Sequence, residues 1–597
     1  MDKRLASTLF ATIGFCALPA LALAQAPPAL RITQEVVVTA SVAPVVTTDV
    51  ARDVNIITRS DLDLLGLKSI IDALRLVPGV DARARGPLDV QTDFSIRGAT
   101  FGQNLILVDG IRLNDSQTGH HNGEIPLPAI AVDRIEIVEG AGSAVHGADA
   151  LGGTINVISR HGSYAAGSLT YGQHHAVDTQ ASIGGGRLPV GWTLSGWGGR
   201  SDGFMFDREF AFGGAAVRGT PARGVTIDLR HQRRAFGANG FYGNSPSKEW
   251  TDGTIGGAQY LHAGAAWTTV VQGSMRNHGD HFRWDIARPG FAENRHRTNA
   301  GDLQARVERR LGASTVTIGA SGGGDWVHSS NLGDHHEQRG GAFAEWQAPL
   351  SARATLVAGL RFDDYSTFGR SSSPSVSVVA HATRDLRLRA SAGHAFRVPT
   401  YTERFYTDPS NQGTPDLGAE RGWSVDGGAD WTRAGWTSSL SVFTRWDNDV
   451  IDWLRATTAD VWRSGNVRDV TTRGLEASVS HRTGPAYVRA YYTGLSVDAP
   501  SVGLLSKYVL EYARHQAGGS VSLPVGAGAR IALNADFRNR LVAQTWHSYT
   551  LLSARVSRAF KRTDVYLDGS NLLNANYQEI AGVAMPGRWM SVGVTVR

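Results

Sequence analysis

The sequence predicts a transmembrane β-barrel of about 22 antiparallel strands, its lumen holding a small N-terminal α+β plug domain. Three observations carry this: period-two alternation throughout the chain after Arg160, a composition rich in glycine and aromatics, and an α+β pattern confined to residues 53–160.

Val225-Thr226-Ile227-Asp228-Leu229-Arg230 places apolar and polar side chains on opposite faces of a strand, and Leu356, Ala358, Leu360 and Phe362 repeat the pattern. Roughly 440 residues at about 20 per strand and connection give about 22 strands, the size at which a lumen can hold a plug. A soluble array of sandwiches would alternate too, but no linker interrupts residues 161–597. That stretch reads as free of long helices. The 70 glycines, 15 Trp, 15 Tyr and 20 Phe suit strands joined by turns and flanked by aromatic girdles. Mean hydropathy is only −0.18 and hydrophobic residues are 42%. Strands that alternate lipid-facing and lumen-facing residues average out to such values, so a membrane home stays open.

Lys3 and Arg4, the apolar stretch Leu5 to Leu18 and the small-residue site Ala22-Leu23-Ala24 read as a secretory signal peptide over residues 1–24. Pro19 interrupts the stretch before it reaches the ~20 apolar residues of a membrane span. The single cysteine, Cys16, falls inside this segment behind the bulky Phe15, which disfavours a lipoprotein site. The exported chain is therefore expected to lack disulfides and thiolate metal sites. Its net charge of +5, or +4 once Asp2, Lys3 and Arg4 are removed, does not point to nucleic acid.

Residues 25–52 form an Ala/Pro/Val/Thr-rich arm carrying the β-branched run Glu35-Val36-Val37-Val38-Thr39-Ala40. Such a run wants a sheet edge, either as a first strand or by strand addition to another protein. From Val54 a short strand leads to helical signals: Ser69 and Asp72 suggest a cap, Ile70, Ile71, Leu74 and Val77 share a face, and Pro78-Gly79 ends the helix. Leu105–Val108 and Ile111–Leu113 flank the hairpin turn Asp109-Gly110, and Ile135–Val138 and Thr154–Val157 complete a small sheet.

Several segments, in order, resemble TonB-dependent outer-membrane receptors. Glu35 to Thr39 resembles the TonB box. Leu76-Val77-Pro78-Gly79-Val80, Ser95-Ile96-Arg97-Gly98, Leu107 to Asn114, Asp133 to Val138 and Gly142 to Ile158 resemble the plug. Ala395-Phe396-Arg397-Val398-Pro399-Thr400, Pro415 to Glu420, Arg473-Gly474-Leu475-Glu476, Asn571 to Tyr577 and Met585-Pro586-Gly587-Arg588 resemble the barrel. The glycines of Gly140 to Gly153 lack the strand, tight turn and helix of a dinucleotide site and instead suit turns and close packing.

The resemblance implies an active transporter of the Gram-negative outer membrane, embedded in lipid by the barrel assembly machinery and driven by TonB with ExbB and ExbD. TonB would pair with Glu35 to Ala40 as an added strand, and tension would remodel the plug. Plug arginines in the family commonly face barrel glutamates, which places Arg97 opposite Glu420 or Glu476. Where many relatives carry Arg-Gly-Pro, this chain has Glu139-Gly140-Ala141, so a second plug arginine is missing. Arg597 stands where an aromatic usually closes the barrel, so assembly is expected either to be less efficient or to use the face of Val594 and Val596.

The plug loop from Asn114 to Asn122 would face outward, making Asp115, Gln117, His120, His121 and Asn122 candidate ligand contacts, although paired turn histidines are commonly plain polar residues. His278, His281, His296, His335 and His336 would either line a vestibule for a metal chelate or lie in solvated loops. Length and the Asp109 to Asn114 stretch look most like the cobalamin-transporter branch, with ferric siderophores as runner-up. No acidic calcium loop is evident, and no resident cofactor or metal is expected. The short stretch ahead of the box leaves no room for an ~80-residue signalling module. The alternatives are a passive porin and a secreted β-rich carbohydrate-active enzyme. No HExxH motif occurs to support enzymatic chemistry: Gly340 stands where the second histidine would follow His336-Glu337.

Overall fold

The structure, a computed structural model, describes residues 36–597 except 38, 44, 89, 188, 244, 500–502 and 544. The signal peptide, Glu35 and Val38 lie outside the described residues.

From Tyr164 to Val596 the chain wraps into one closed barrel of 22 long antiparallel strands, with two short extra strands, Asn411–Gln412 and Leu505–Ser506, at one end. The ring closes where the first strand, Tyr164–Gly172, pairs with the last, Trp589–Val596, in the register Gly167↔Val596 to Gly172↔Ser591. Closure leaves no backbone edge facing lipid. Arg597 lies just past the ladder, where its N–H donates to the Arg562 carbonyl at 2.9 Å and its guanidinium reaches Asp63 at 3.0 Å. Val596 keeps its place in the closing pair.

Alternation sorts side chains as period two demands. Ile227 and Leu229 are 51% and 52% exposed on the outer face, whereas Asp228 and Arg230 are 6% and 1% exposed toward the lumen. Connections at one end are tight, as at Ala434-Gly435 and Gly484-Pro485, while the other end carries the long stretches 398–419 and 571–588. Short turns mark the periplasmic side of such barrels. Exposed Trp192, Trp267, Trp431 and Trp436 ring that end; Tyr171, Trp326, Trp423 and Trp446 ring the other. No helix among the described residues is long and apolar enough to cross a membrane. A single closed ring around a folded plug is neither a sandwich array nor an open pore.

The plug sheet runs in the order Val54–Thr58, Val132–Glu139, Gly153–Ser159, Asn104–Val108, Ile111–Arg112, with a separate hairpin of Val80–Ala84 and Thr92–Ile96. Asp109 and Gly110 both have positive φ, 49° and 81°, the twist that a two-residue hairpin needs. Ser69 caps the helix Ile70–Leu74 by accepting from the Asp72 N–H. This helix ends three residues before the expected Val77, because the chain turns there to feed the hairpin, yet Val77 stays fully buried. A second helix, Arg59–Leu65, starts on a capping box of Thr58 and Asp61 and stops at Gly66 in the left-handed region. Ile57, Leu74, Phe94, Ile106, Ile135 and Val157 share one core, which Ile255 of the barrel wall joins. One short helix, Tyr401–Phe405, interrupts the strands after Arg160, capped by Thr400 and Glu403 in the extracellular stretch 398–419.

Candidate functional site

The arm is clipped in place. Val36 and Val37 pair with Val46 and Val45, so the β-branched run forms a hairpin with its own chain. Buried Thr39 donates to Glu136 at 2.6 Å and accepts from Asn156 at 3.0 Å, both on the plug sheet. Its carbonyl accepts from His146 Nε2 at 2.9 Å. Burial, with Arg52 nearby, holds His146 down at about 4, so the ring is neutral and donates through Nε2. Beyond the run, the Val42 N–H donates to Glu345 of the barrel wall at 3.2 Å, and Ser41 bonds the same carboxylate. Buried Ala40 packs with Val45, Val50 and Val138.

Directly after the arm comes an ionic lock. Arg97 is fully buried; its guanidinium lies 2.7 Å from Asp53, 2.7 Å from Glu139 and 2.6 Å from Glu476 of the barrel, and 4.2 Å over the Phe443 ring. Its backbone sits at φ 51°, and its N–H donates to the Gly79 carbonyl at 2.8 Å. Gly79 is required: at φ 73°, a Cβ there would lie 2.1 Å from a Glu476 oxygen. Glu420, the other partner considered, accepts instead from plug Gln103 at 2.7 Å and pairs with Arg397 at 2.7 Å. The cation missing from the plug at position 139 comes from the barrel, where Arg389 reaches Asp53 at 2.9 Å. The cluster is thus present with its charges redistributed. Burial and then the Glu476 carboxylate push the Glu139 carboxyl well up, whereas Arg389 and Arg97 outweigh burial at Asp53 and hold it down.

Further pairs seat the plug around the ring. Asp81 meets Arg538 and Arg540, Asp109 meets Arg230 and, at 2.7 Å, Arg218, and Arg75 reaches Glu579 at 2.7 Å. Sequence reasoning missed these, and also Asp53 and Arg389. Inward-facing arginines at alternate strand positions were the available signal.

The apical loop does not present its polar groups to solvent as expected. Asp115 is buried against Arg276 at 2.8 Å, His278 at 2.7 Å and Thr298 at 3.1 Å. Gln117 donates to Asp280 at 3.0 Å, and Asn122 accepts from the Asp115 N–H at 2.9 Å. His121 lies between Glu124 at 3.2 Å and Asp280 at 3.5 Å, with the His278 ring at 4.6 Å. Of the five candidate residues only His120 keeps partial exposure; it stacks on Phe101 at 4.3 Å and approaches Asp93 at 3.0 Å. The loop is covered because the barrel wall turns polar side chains inward and because Tyr401 and Thr402 donate to the Ser116 and Gln117 carbonyls at 2.8 and 2.9 Å. A cavity between plug and loop 398–419 is lined by Arg276, Arg339, Arg397, Arg404, Tyr365 and Tyr401.

The barrel histidines do not converge. His281 stacks on Trp250, His296 bonds Ser329 at 2.7 Å, and His335 stacks on Phe405 at 3.7 Å, while His336 is exposed. Of these five histidines, His278 is the one that meets the plug among the described residues.

The family model for the "TonB dependent receptor-like, beta-barrel" matches residues 160–572, and that for the "TonB-dependent Receptor Plug Domain" matches residues 46–154. The chain belongs to the TonB-dependent receptor family. It is a receptor of the Gram-negative outer membrane. It is similar to the vitamin B12 transporter BtuB of Photobacterium profundum, at 22% identity over 76% of this chain and 77% of that one. To BtuB of Vibrio vulnificus (strain CMCP6) it is 26% identical over 74% of each. Among solved structures, the siderophore receptor PirA of Acinetobacter baumannii shares the fold at a TM-score of 0.75 and 16% identity, covering 92% of this receptor and 98% of PirA. The ferric enterobactin receptor PfeA of Pseudomonas aeruginosa, solved with enterobactin, does so at 0.73 and 16%, covering 92% and 99%.

Proposed function

We propose that this receptor imports a scarce, bulky metal-chelate nutrient into the periplasm, using work transmitted by TonB with ExbB and ExbD. Cobalamin-like ligands come first and ferric siderophores second, since the curated relatives are vitamin B12 transporters and the structural ones siderophore receptors. The division that fits is an arm over residues 25–52 with its TonB box at 35–40, a plug over 53–160 and a barrel over 161–597.

The observation that carries this reading is the placement of the arm. Residues 39–43 clip onto the plug sheet and onto Glu345, and ten residues further on Asp53 belongs to the ionic lock around Arg97. Tension on residues 35–40 would first unzip these few hydrogen bonds and then load that lock. A strand added to Val36 and Val37 on the edge that now pairs with Val45 and Val46 would displace them and open the hairpin. Of the five apical candidates we assign ligand contact to His120, with Asp115, Gln117, His121 and Asn122 supporting it from below.

Deleting residues 35–40 is the test. Cells carrying the deletion should still bind labelled cyanocobalamin or an iron-loaded chelate at the surface, with accumulation falling to the level of a receptor-free strain. Undiminished accumulation would favour a passive pore.

A further inference from the structure

We propose that His121, Glu124 and His278 bind one divalent transition-metal ion of the zinc class, tying the plug apex to the barrel wall.

Two imidazoles and a carboxylate converge from different parts of the fold. Thr118 opens the short helical turn Gly119–His121 by accepting from the His120 N–H, Glu124 follows on the same plug loop, and His278 projects inward from the barrel strand Trp267–Arg283. One ligand atom from each lies within 4.8 Å of the others. His121 Nδ1 is 3.2 Å from one Glu124 oxygen, and His278 Nε2 is 3.6 Å from the second. Ligands about 2.0–2.1 Å from a tetrahedral zinc stand roughly 3.4 Å apart, so these separations need little adjustment.

His278 supplies the independent indication. It is 2% exposed; Asp115 meets its Nδ1 at 2.7 Å, but its Nε2 makes no hydrogen bond among the described residues and stands 3.6 Å from Glu124. Burying an imidazole without satisfying it is costly. A cation between His278, His121 and Glu124 would supply the missing partner.

The surroundings fit as well. In metal sites the second ring nitrogen of a ligating histidine commonly faces a carboxylate, which fixes the tautomer. Here His121 Nε2 faces Asp280 at 3.5 Å and Glu249 at 4.0 Å, and His278 Nδ1 lies 2.7 Å from Asp115. Thr251 donates to Glu124 at 3.0 Å and steadies the third ligand. Against the buried carboxylates Asp115, Glu124, Glu249 and Asp280, the one permanent cation paired with them among the described residues is Arg276, on Asp115. A dication with neutral histidines would offset most of that excess. The mixed imidazole and carboxylate set favours zinc over calcium, which prefers oxygen alone. Of the two other groupings, Asp53, Glu139 and Glu476 are filled by the Arg97 guanidinium, and Glu249 and Asp280 share His121 through its other ring nitrogen, Nε2.

The test uses full-length receptor purified in detergent, stripped with a chelator and titrated with zinc chloride or calcium chloride against a chromophoric competitor. One zinc per chain should bind, and X-ray absorption at the zinc edge should show two imidazole ligands. His278→Ala should lower zinc affinity by more than about 100-fold and Asp280→Asn by about 10–100-fold. His262→Ala, at the exposed periplasmic end of its strand, should leave it unchanged. Heat-modifiable mobility confirms that each variant is assembled; if His278→Ala is not, Asp280→Asn and the spectrum of the native chain decide. Failure to hold one zinc per chain, preference for calcium, or native affinity in an assembled His278→Ala receptor would overturn the assignment. None of these results bears on nutrient uptake.

Discussion

Arg97→Ala is expected to loosen the seated plug by about 3–5 kcal/mol, the cost of removing one side of a buried ion cluster. Among the described residues the guanidinium is the only group that touches Asp53, Glu139 and Glu476 together, and its loss leaves three buried carboxylates with Arg389 as the remaining cation, on Asp53. Hydrogen exchange on the purified receptor reads the effect: amides of the plug sheet between residues 54 and 159 should lose protection while the barrel keeps its own. Unchanged protection would show that the cluster does not seat the plug.

Glu139→Gln makes the complementary case. Burial and the neighbouring Glu476 raise the Glu139 carboxyl above its ordinary value, so seating the plug takes up a proton. By linkage, that contribution is complete below the ordinary carboxylate pKa and is lost as pH rises through the raised one. Native plug protection should therefore weaken toward higher pH. Glutamine resembles the protonated acid, so Glu139→Gln should cost far less than Arg97→Ala and flatten that slope.

The barrel was legible because alternation is local: Ile227 and Leu229 against Asp228 and Arg230 declare two faces without knowledge of any neighbour. The hairpin at Asp109-Gly110 was legible for the same reason, since positive φ at both positions selects those residues. The partner of Arg97 depends on a ring of registers instead, for Arg97 and Glu476 stand 379 residues apart. Arg389 carried only the alternation of inward arginines along its strand, and Asp53 had no local mark. Asp115, His121 and Asn122 looked like solvated loop residues because their burial comes from Glu249, His278 and Asp280, whose inward faces only the closed barrel reveals. The helix Tyr401–Phe405 did carry a sign, the Thr400 and Glu403 capping box after Pro399, which the surrounding strands obscured.

A reversible covalent lock between plug and barrel tests most directly whether transport requires the plug to move. Ala144 sits on the plug turn Ser143–His146, beside the arm contact at His146, and a Cβ built at Gly359 of the barrel would lie 3.6 Å from the Ala144 Cβ. That separation falls within the roughly 3.5–4.5 Å of natural disulfides. The sole cysteine of the sequence, Cys16, belongs to the expected signal peptide, so a pair made by Ala144→Cys and Gly359→Cys should have no competitor. Accumulation of labelled ligand is the readout. The oxidised double variant should bind ligand at the cell surface and accumulate none, and a membrane-permeable reductant should restore import, with each single variant importing normally. Import at the native rate through the oxidised, fully cross-linked receptor would contradict a plug that must be displaced.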